Sequence, residues 1–385
     1  MRRLIFFVLA ILFVAPISTF NIANAATPVI ITEPTHRLID GKFIDDQLAQ
    51  KLLPAGELGT LVFSRSNFGK SWLVDPATIE EITAMSNGYG VIDGSTPAGQ
   101  EIAKAWLDQF YLISKSRPIA ALIYGNPSKF WIDKLIPAEV EYLQALSKIK
   151  LEQYLGTAAI GDVSSSGEQQ KLSRPIQNTF VFALKQFGLM STLVEEKEFD
   201  LLKLRITQLL NPNIASGDLI PLYNDFQLAF NETRNKLRVS KGKFTVTSSK
   251  QELPITVIND FNSAVKLKLT TRPLTSKVLV RPTEAIEVPA NSKIQVLLPI
   301  EVIASGETLL LTQLSNLENK PIGFPVNISL KLSVISPAAT WITSGAAVIL
   351  FAAAVIQSLR RFRKGQKVAK VVKDVKGRRG LSNDK

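Results

Sequence analysis

Five side chains are the candidates for chemistry. Asp75, Asp93 and Asp162 each close a short apolar run, and Tyr124 and Asn126 follow another. In α/β proteins ligands bind at the carboxyl ends of parallel strands. Carboxylates, a phenol and an amide gathered there could bind a sugar or a cation. Each aspartate also has a plainer role. Asp75 precedes Pro76-Ala77-Thr78 and suits a helix N-cap, and Asp93 precedes Gly94 and suits a turn. The absences narrow the chemistry further. The chain has no Cys and a single His, which removes thiolate nucleophiles and thiolate zinc sites. His36 lies in Pro34-Thr35-His36-Arg37, which carries no triad pattern, so a structural or incidental role is expected. No phosphate loop, GxSxG elbow or metal-binding His pair occurs. Acid–base work on a glycan needs two positioned carboxylates, or a metal with several ligands. No catalytic residue, metal ligand or cofactor is therefore assigned. Asn231-Glu-Thr233 and Asn327-Ile-Ser329 match the glycosylation sequon.

The elements that must position these residues follow from hydrophobic pattern. Residues 42–190 alternate strand and helix signals, which argues for α/β with a parallel sheet. Leu58–Ser64, Ser71–Asp75, Gly90–Asp93, Pro118–Tyr124 and Ala158–Asp162 read as strands. A helix opens at Pro76, with Ile79, Ile82 and Met85 on its apolar face, and ends at Asn87-Gly88. A second runs from Pro97 to Lys115, with Ile102, Ala105, Trp106, Phe110 and Leu112 mostly on one side. A third runs from Pro137 to Leu155 and stops at Gly156. These are too few units for an eight-stranded barrel, so a reduced barrel or an open sheet is expected. Residues 193–236 read as a linking helical pair, with stripes Phe199-Leu202-Ile206-Leu209 and Leu219-Leu222-Tyr223-Phe226-Phe230. Residues 237–335 hold about seven short strands separated by turn signals, the pattern of an Ig-like β-sandwich. The Cys…Trp…Cys spacing is missing, so it is not a true Ig domain.

Topology is the firmest deduction. No charged residue occurs from Ser333 to Leu359. Residues 338–359, as a helix rising about 1.5 Å per residue, are long enough to cross a hydrocarbon core of about 30 Å. Trp341 sits where an interfacial aromatic belongs, and Arg360, Arg361, Arg363 and Lys364 follow the run. This puts the C-terminus in the cytoplasm and everything before Ser333 outside. Residues 1–25 read as a signal peptide cleaved after Ala25, from Arg2-Arg3, the apolar stretch Leu4–Ala15 and Ala23-Asn24-Ala25. The alternative is an uncleaved signal anchor. The net charge of +12 is concentrated at the ends. Residues 360–385 hold 11 Lys/Arg against two Asp, a net of +9, and Arg2 and Arg3 add +2. That leaves +1 for the rest, so the folded part has no basic surplus for nucleic acid. Within the tail, Lys367, Lys370, Lys373 and Lys376 flank valines at helical spacing. The tail reads as either a basic amphipathic helix on an anionic inner leaflet or a disordered basic segment.

Some stretches also resemble a known family, DUF6049, of actinobacterial membrane-anchored envelope proteins of unknown function. These are Leu253–Asp260 with Val265, Ile286–Asn291, Ala304-Ser305-Gly306, Pro321–Pro325 and, upstream, Trp72–Pro76. The resemblance runs from about residue 42 to residue 364. It implies a fold and a topology, and a link to cell-wall precursor export by gene neighbourhood. Relatives are often more acidic where this chain has Tyr124–Ser128, a departure that counts against an inherited metal-dependent activity. The function expected is a non-catalytic, single-pass membrane protein of the cell envelope, binding or scaffolding cell-wall glycan or envelope proteins. The alternative is a glycan-active hydrolase or deacetylase on a reduced barrel. A carboxylate or His cluster at one sheet end would favour the alternative.

Overall fold

In the computed structural model of the chain, residues 27–160, 171–333 and 342–360 are described. The expected signal peptide, Asp162, Trp341 and the tail from Arg361 lie outside them. The chain opens with β1 (Val29–Ile31), α1 (Gln47–Leu52) and α2 (Glu57–Phe63). Then come β2 (Trp72–Val74), α3 (Pro76–Ser86), α4 (Gln100–Ser114), β3 (Ile119–Ala121), α5 (Lys129–Leu135), α6 (Val140–Leu155) and β4 (Ala159–Ile160). The four strands form one parallel sheet in the order β1-β2-β3-β4, the strand order of a half-barrel. Register is set by Val29–Ile31 against Trp72–Val74, and by Trp72–Val74 against Ile119–Ala121. β2 and β3 are buried at every position, as a sheet covered on both faces requires.

Three expectations are corrected. Leu58–Ser64 is helical, because Leu58 and Val62, one helical turn apart, both enter the core, and Trp106 Nε1 donates to the Leu58 carbonyl at 3.0 Å. Gly90–Asp93 makes only an isolated bridge, Phe43 to Val91, so Asp93 closes no strand of the sheet. The buried face of α4 is Ala103, Trp106, Leu107, Phe110 and Ile113, while Leu112 is exposed. Trp72, Phe110 and Trp106 stack in sequence at 5.8 and 5.2 Å between ring centroids. They form the heart of one core with Ile31, Val74 and Ile79.

Three helices follow: α7 (Arg174–Met190), α8 (Asp200–Leu209) and α9 (Leu219–Asn235). Most of α8 is buried all round, from Leu202 to Leu209. Two further sheets come next, built from β5 (Leu237–Val239), β6 (Lys243–Val246), β7 (Lys250–Asn259), β8 (Val265–Pro273) and β9 (Val278–Val280). They are completed by β10 (Ile286–Val288), β11 (Ser292–Val302), β12 (Gly306–Ser315) and β13 (Pro321–Leu332). One sheet has the order β10-β8-β12-β13-β6, and the other β5-β7-β11-β9. Strands such as β7, β11 and β13 alternate buried and outward residues, so each sheet turns one face inward. A continuous core runs from Ile123 and Trp131 through the helices into both sheets. Phe187, Phe199 and Phe261 carry it across the junction. Arg234 seals the edge, stacking over Phe182, Phe230 and Phe324 and donating to the Gly323 carbonyl at 3.1 Å. The last described element, α10 (Ile342–Arg360), is long and apolar enough to cross a membrane and touches no core.

Candidate functional site

The carboxyl end of the parallel sheet is where a ligand would sit, and two segments build it locally. The turn after β3 holds Gly125 at φ +77° and Asn126 at φ +43°. Asp75 ends β2 and caps α3, accepting from Ala77 N at 2.9 Å ahead of the N1 proline. The same oxygen accepts from Gly125 N at 2.8 Å. The other oxygen accepts from the hydroxyls of Thr32 and Thr78, both at 3.3 Å. Asp75 is completely buried and joins the ends of all three strands β1, β2 and β3. Burial pushes its carboxyl up to about 7 against the pull of the Gly125 and Ala77 amides, and the nearby Glu81 adds to the rise.

The residues singled out from the sequence therefore separate. Asp75, Tyr124 and Asn126 come together at this end, and Tyr124 and Asn126 are buried as well. Burial and the acidic neighbours Glu80, Glu81 and Asp75 hold the Tyr124 hydroxyl well above its usual range. Asp93 is exposed, and its carboxylate turns back to accept from Ser95 N at 2.8 Å. Asp162 lies outside the described residues.

Sequence inspection missed the groups that fill the site. Glu81, one turn into α3, is buried and accepts from the Thr35 hydroxyl, from His36 N at 3.0 Å and from Gln208 Nε2 at 3.2 Å. Arg205 of α8 donates to the Thr35 hydroxyl at 3.1 Å, to Gln208 Oε1 at 3.2 Å and to Asp225 Oδ2 at 3.0 Å. Asn211 Nδ2 donates to the Gly125 carbonyl at 2.8 Å, and Ser128 N to the Leu210 carbonyl at 2.8 Å. Thus α8 and the two residues after it lie across the strand ends and satisfy polar groups there. A Cβ on Gly125 would stand 2.5 Å from the Gln208 Cα, so the helix packs on the turn as closely as glycine permits. What space remains is a cavity of about 150 Å³ beside Arg37, Glu80, Glu81, Tyr124 and Arg205. A drug-sized ligand site usually measures about 300–1,000 Å³.

Next to this lies a second buried network. The His36 ring contacts Asp45 Oδ1 at 3.0 Å and Glu33 Oε1 at 3.3 Å, and Glu33 also pairs with Lys51. Burial alone would depress the imidazole pKa. The hydrogen bonds to Asp45 and Glu33, with the charges of Glu81 and Asp45, outweigh it and raise the pKa to about 10. His36 is thus a cation held among carboxylates. The sequence sign of the first network was the acidic and basic residues scattered among apolar ones on α3 and α8. Among the described residues, no group of three or more His, Asp or Glu is placed to hold a metal ion.

Residues 224–367 match the family model described as "Family of unknown function (DUF6049)". The resemblance read from the sequence holds over that stretch, which spans the end of α9, both C-terminal sheets and α10. No curated protein matches the chain. Among solved structures, WR4, a C. elegans MSP family member, is 12% identical with a TM-score of 0.20, over 25% of this chain and 97% of its own. The ASH/PapD-like domain 7 of human CEP192 is 12% identical with a TM-score of 0.21, over 26% and 85%. The E. coli chaperone DraB is 13% identical with a TM-score of 0.19, over 25% and 53%. Superpositions this limited decide nothing about function.

Proposed function

We propose that the chain is a non-catalytic, single-pass membrane protein of the bacterial cell envelope. Its ectodomain, the two C-terminal sheets forming an Ig-like sandwich, binds or scaffolds cell-wall glycan or envelope proteins. The N-terminal part lies outside and the basic residues after α10 lie on the inner leaflet. One observation carries the non-catalytic reading. The strand ends that would form an active site in an α/β fold are plugged by Arg205, Gln208 and Asn211, and the carboxylates there are spent on internal hydrogen bonds. A carboxylate that must move protons to a substrate has to reach it, and among the described residues Asp75 bonds to Thr32, Ala77, Thr78 and Gly125.

The hydrolase or deacetylase reading has one observation in its favour. Asp75 and Glu81 are neighbouring carboxyls whose pKa values are both raised, chiefly by burial, and perturbed carboxyls of this kind cluster at active sites. The full chain in lipid nanodiscs, incubated with peptidoglycan and with lipid-linked wall precursors, separates the two. The expected result is co-sedimentation with a wall fraction and no released product. Product release that vanishes in Asp75→Asn or Glu81→Gln, with the melting temperature unchanged, would overturn the non-catalytic reading.

A further inference from the structure

We infer that the two-sheet module docks on the bilayer surface through the apolar loops at the end from which the chain leaves for α10. This rests on the reading that α10 spans the membrane. Connectivity identifies that end. β13 finishes at Leu332, opposite Gly306 at the start of β12, and Ser333 N is bonded to the Val246 carbonyl at the end of β6 at 2.8 Å. Two other connections meet there. Val302 N donates to the Ser249 carbonyl at 2.8 Å, and Ile303 N to the Lys277 carbonyl at 2.8 Å. The β6–β7, β8–β9 and β11–β12 loops are thus knitted into one tip beside the exit strand.

That tip exposes three large aliphatic side chains. Ile303 is 61% exposed, Leu279 on the edge strand β9 is 54% exposed, and Leu274 at the start of the β8–β9 loop is 52% exposed. Lys250, Lys277 and Lys331 lie around them, against Glu301 and Glu307. Aliphatic side chains in a mixed rim with one lysine in surplus suit the boundary between acyl chains and headgroups.

The occupant follows from the length of chain. Eight residues, 334–341, separate Ser333 from Ile342, a span of at most about 32 Å over the nine steps when fully extended. A strand of ten residues is itself about 33 Å long, so the tip faces the bilayer at less than the module's own length, whichever side of the membrane it is on. So short a tether makes docking intramolecular, with an effective concentration on the order of millimolar. Three half-exposed aliphatic side chains then suffice, because partial burial of each favours the docked state by about tenfold. A soluble module with the same loops would bind membranes weakly.

The chain has no native Cys, so single cysteines place spin labels cleanly in the full-length protein. The host is a nanodisc of phosphatidylethanolamine and phosphatidylglycerol. Labels at Leu274→Cys, Leu279→Cys and Ile303→Cys are read for collisions with oxygen, which favours lipid, and with a water-soluble nickel chelate. Leu317→Cys, in the β12–β13 turn at the opposite end, is the aqueous reference, and Val348→Cys reports whether α10 is inserted. Docking gives lipid-type ratios at 274, 279 and 303, an aqueous ratio at 317 and a lipid ratio at 348. Changing Leu274 and Leu279 to Ser should return the 303 label to water, by about tenfold in the docking equilibrium per residue removed. Aqueous ratios at 274, 279 and 303 with an inserted Val348 would overturn docking and leave the span intact. Shielding of these labels from both reagents would mean a protein contact and would also overturn docking. An aqueous Val348 would overturn the span and docking together.

Discussion

The stability of the N-terminal part should depend on the charge of its single histidine, in a direction fixed by its surroundings. His36 has a pKa of about 10 when folded, against an ordinary 6.5 for the free imidazole. That difference is worth about 5 kcal/mol. The folded pKa is the higher one, so this stabilisation is fully present below about pH 6.5. It is lost progressively as pH rises through about 10. The depressed carboxyl of Asp45 reports the same contact and adds nothing separate. His36→Gln keeps hydrogen-bonding capacity but cannot take the charge. Urea unfolding of the full chain in detergent, followed for both proteins from pH 6 to pH 10, should show wild type ahead at pH 6. The gap should close by several kcal/mol as pH approaches 10. Lysines and tyrosines titrate in both proteins and cancel in the difference. Labelling the chain with ¹⁵N-histidine gives one imidazole to follow by NMR, and its midpoint should lie far above 7. A midpoint near 6.5, or a gap that stays constant with pH, would refute the reasoning.

The remaining expectations concern the plugged strand ends. Asp75→Ala leaves the buried amides of Ala77 and Gly125 without an acceptor and should cost about 2–5 kcal/mol, read as a lower melting temperature. Asp75→Asn keeps that acceptor and should stay within about 1 kcal/mol of wild type near pH 4. The Asp75 pKa is about 7 when folded, against an ordinary 3.8, so its contribution is present below pH 3.8 and is lost as pH rises through 7. The Asn variant lacks that decline and should overtake wild type at pH 8 in thermal melts. Gly125→Ala meets both a positive φ and the Gln208 backbone. It should destabilise by at least about 2 kcal/mol, and a melting temperature equal to wild type would show that α8 does not press on the turn.

Local features were legible because their causes are local. The Asp75-Pro76 cap needs only three consecutive residues, and it forms as expected. The alternation in β7, β11 and β13 is read two residues at a time, and it sets their faces. The α10 run is a matter of length and charge alone. Short apolar runs were not decided in this way. Leu58–Ser64 fits a strand or a helical turn equally, and packing against α1 and α4 made it a helix. β1 is three residues long and exists only because Trp72–Val74 pairs with it. The site was the least legible part. Glu81 reads as half of an ordinary acidic pair on a helix, and Arg205 and Gln208 read as the polar side of an amphipathic one. Their partners lie 46, 170 and 127 residues away along the chain. The sequence alone determined where chain segments turn, alternate and can enter a membrane, since those depend on neighbours a few residues apart. Only the tertiary structure decided that α8 closes the sheet's carboxyl end. A buried charge is tolerated only where its partner arrives, and that partner comes from a distant part of the chain.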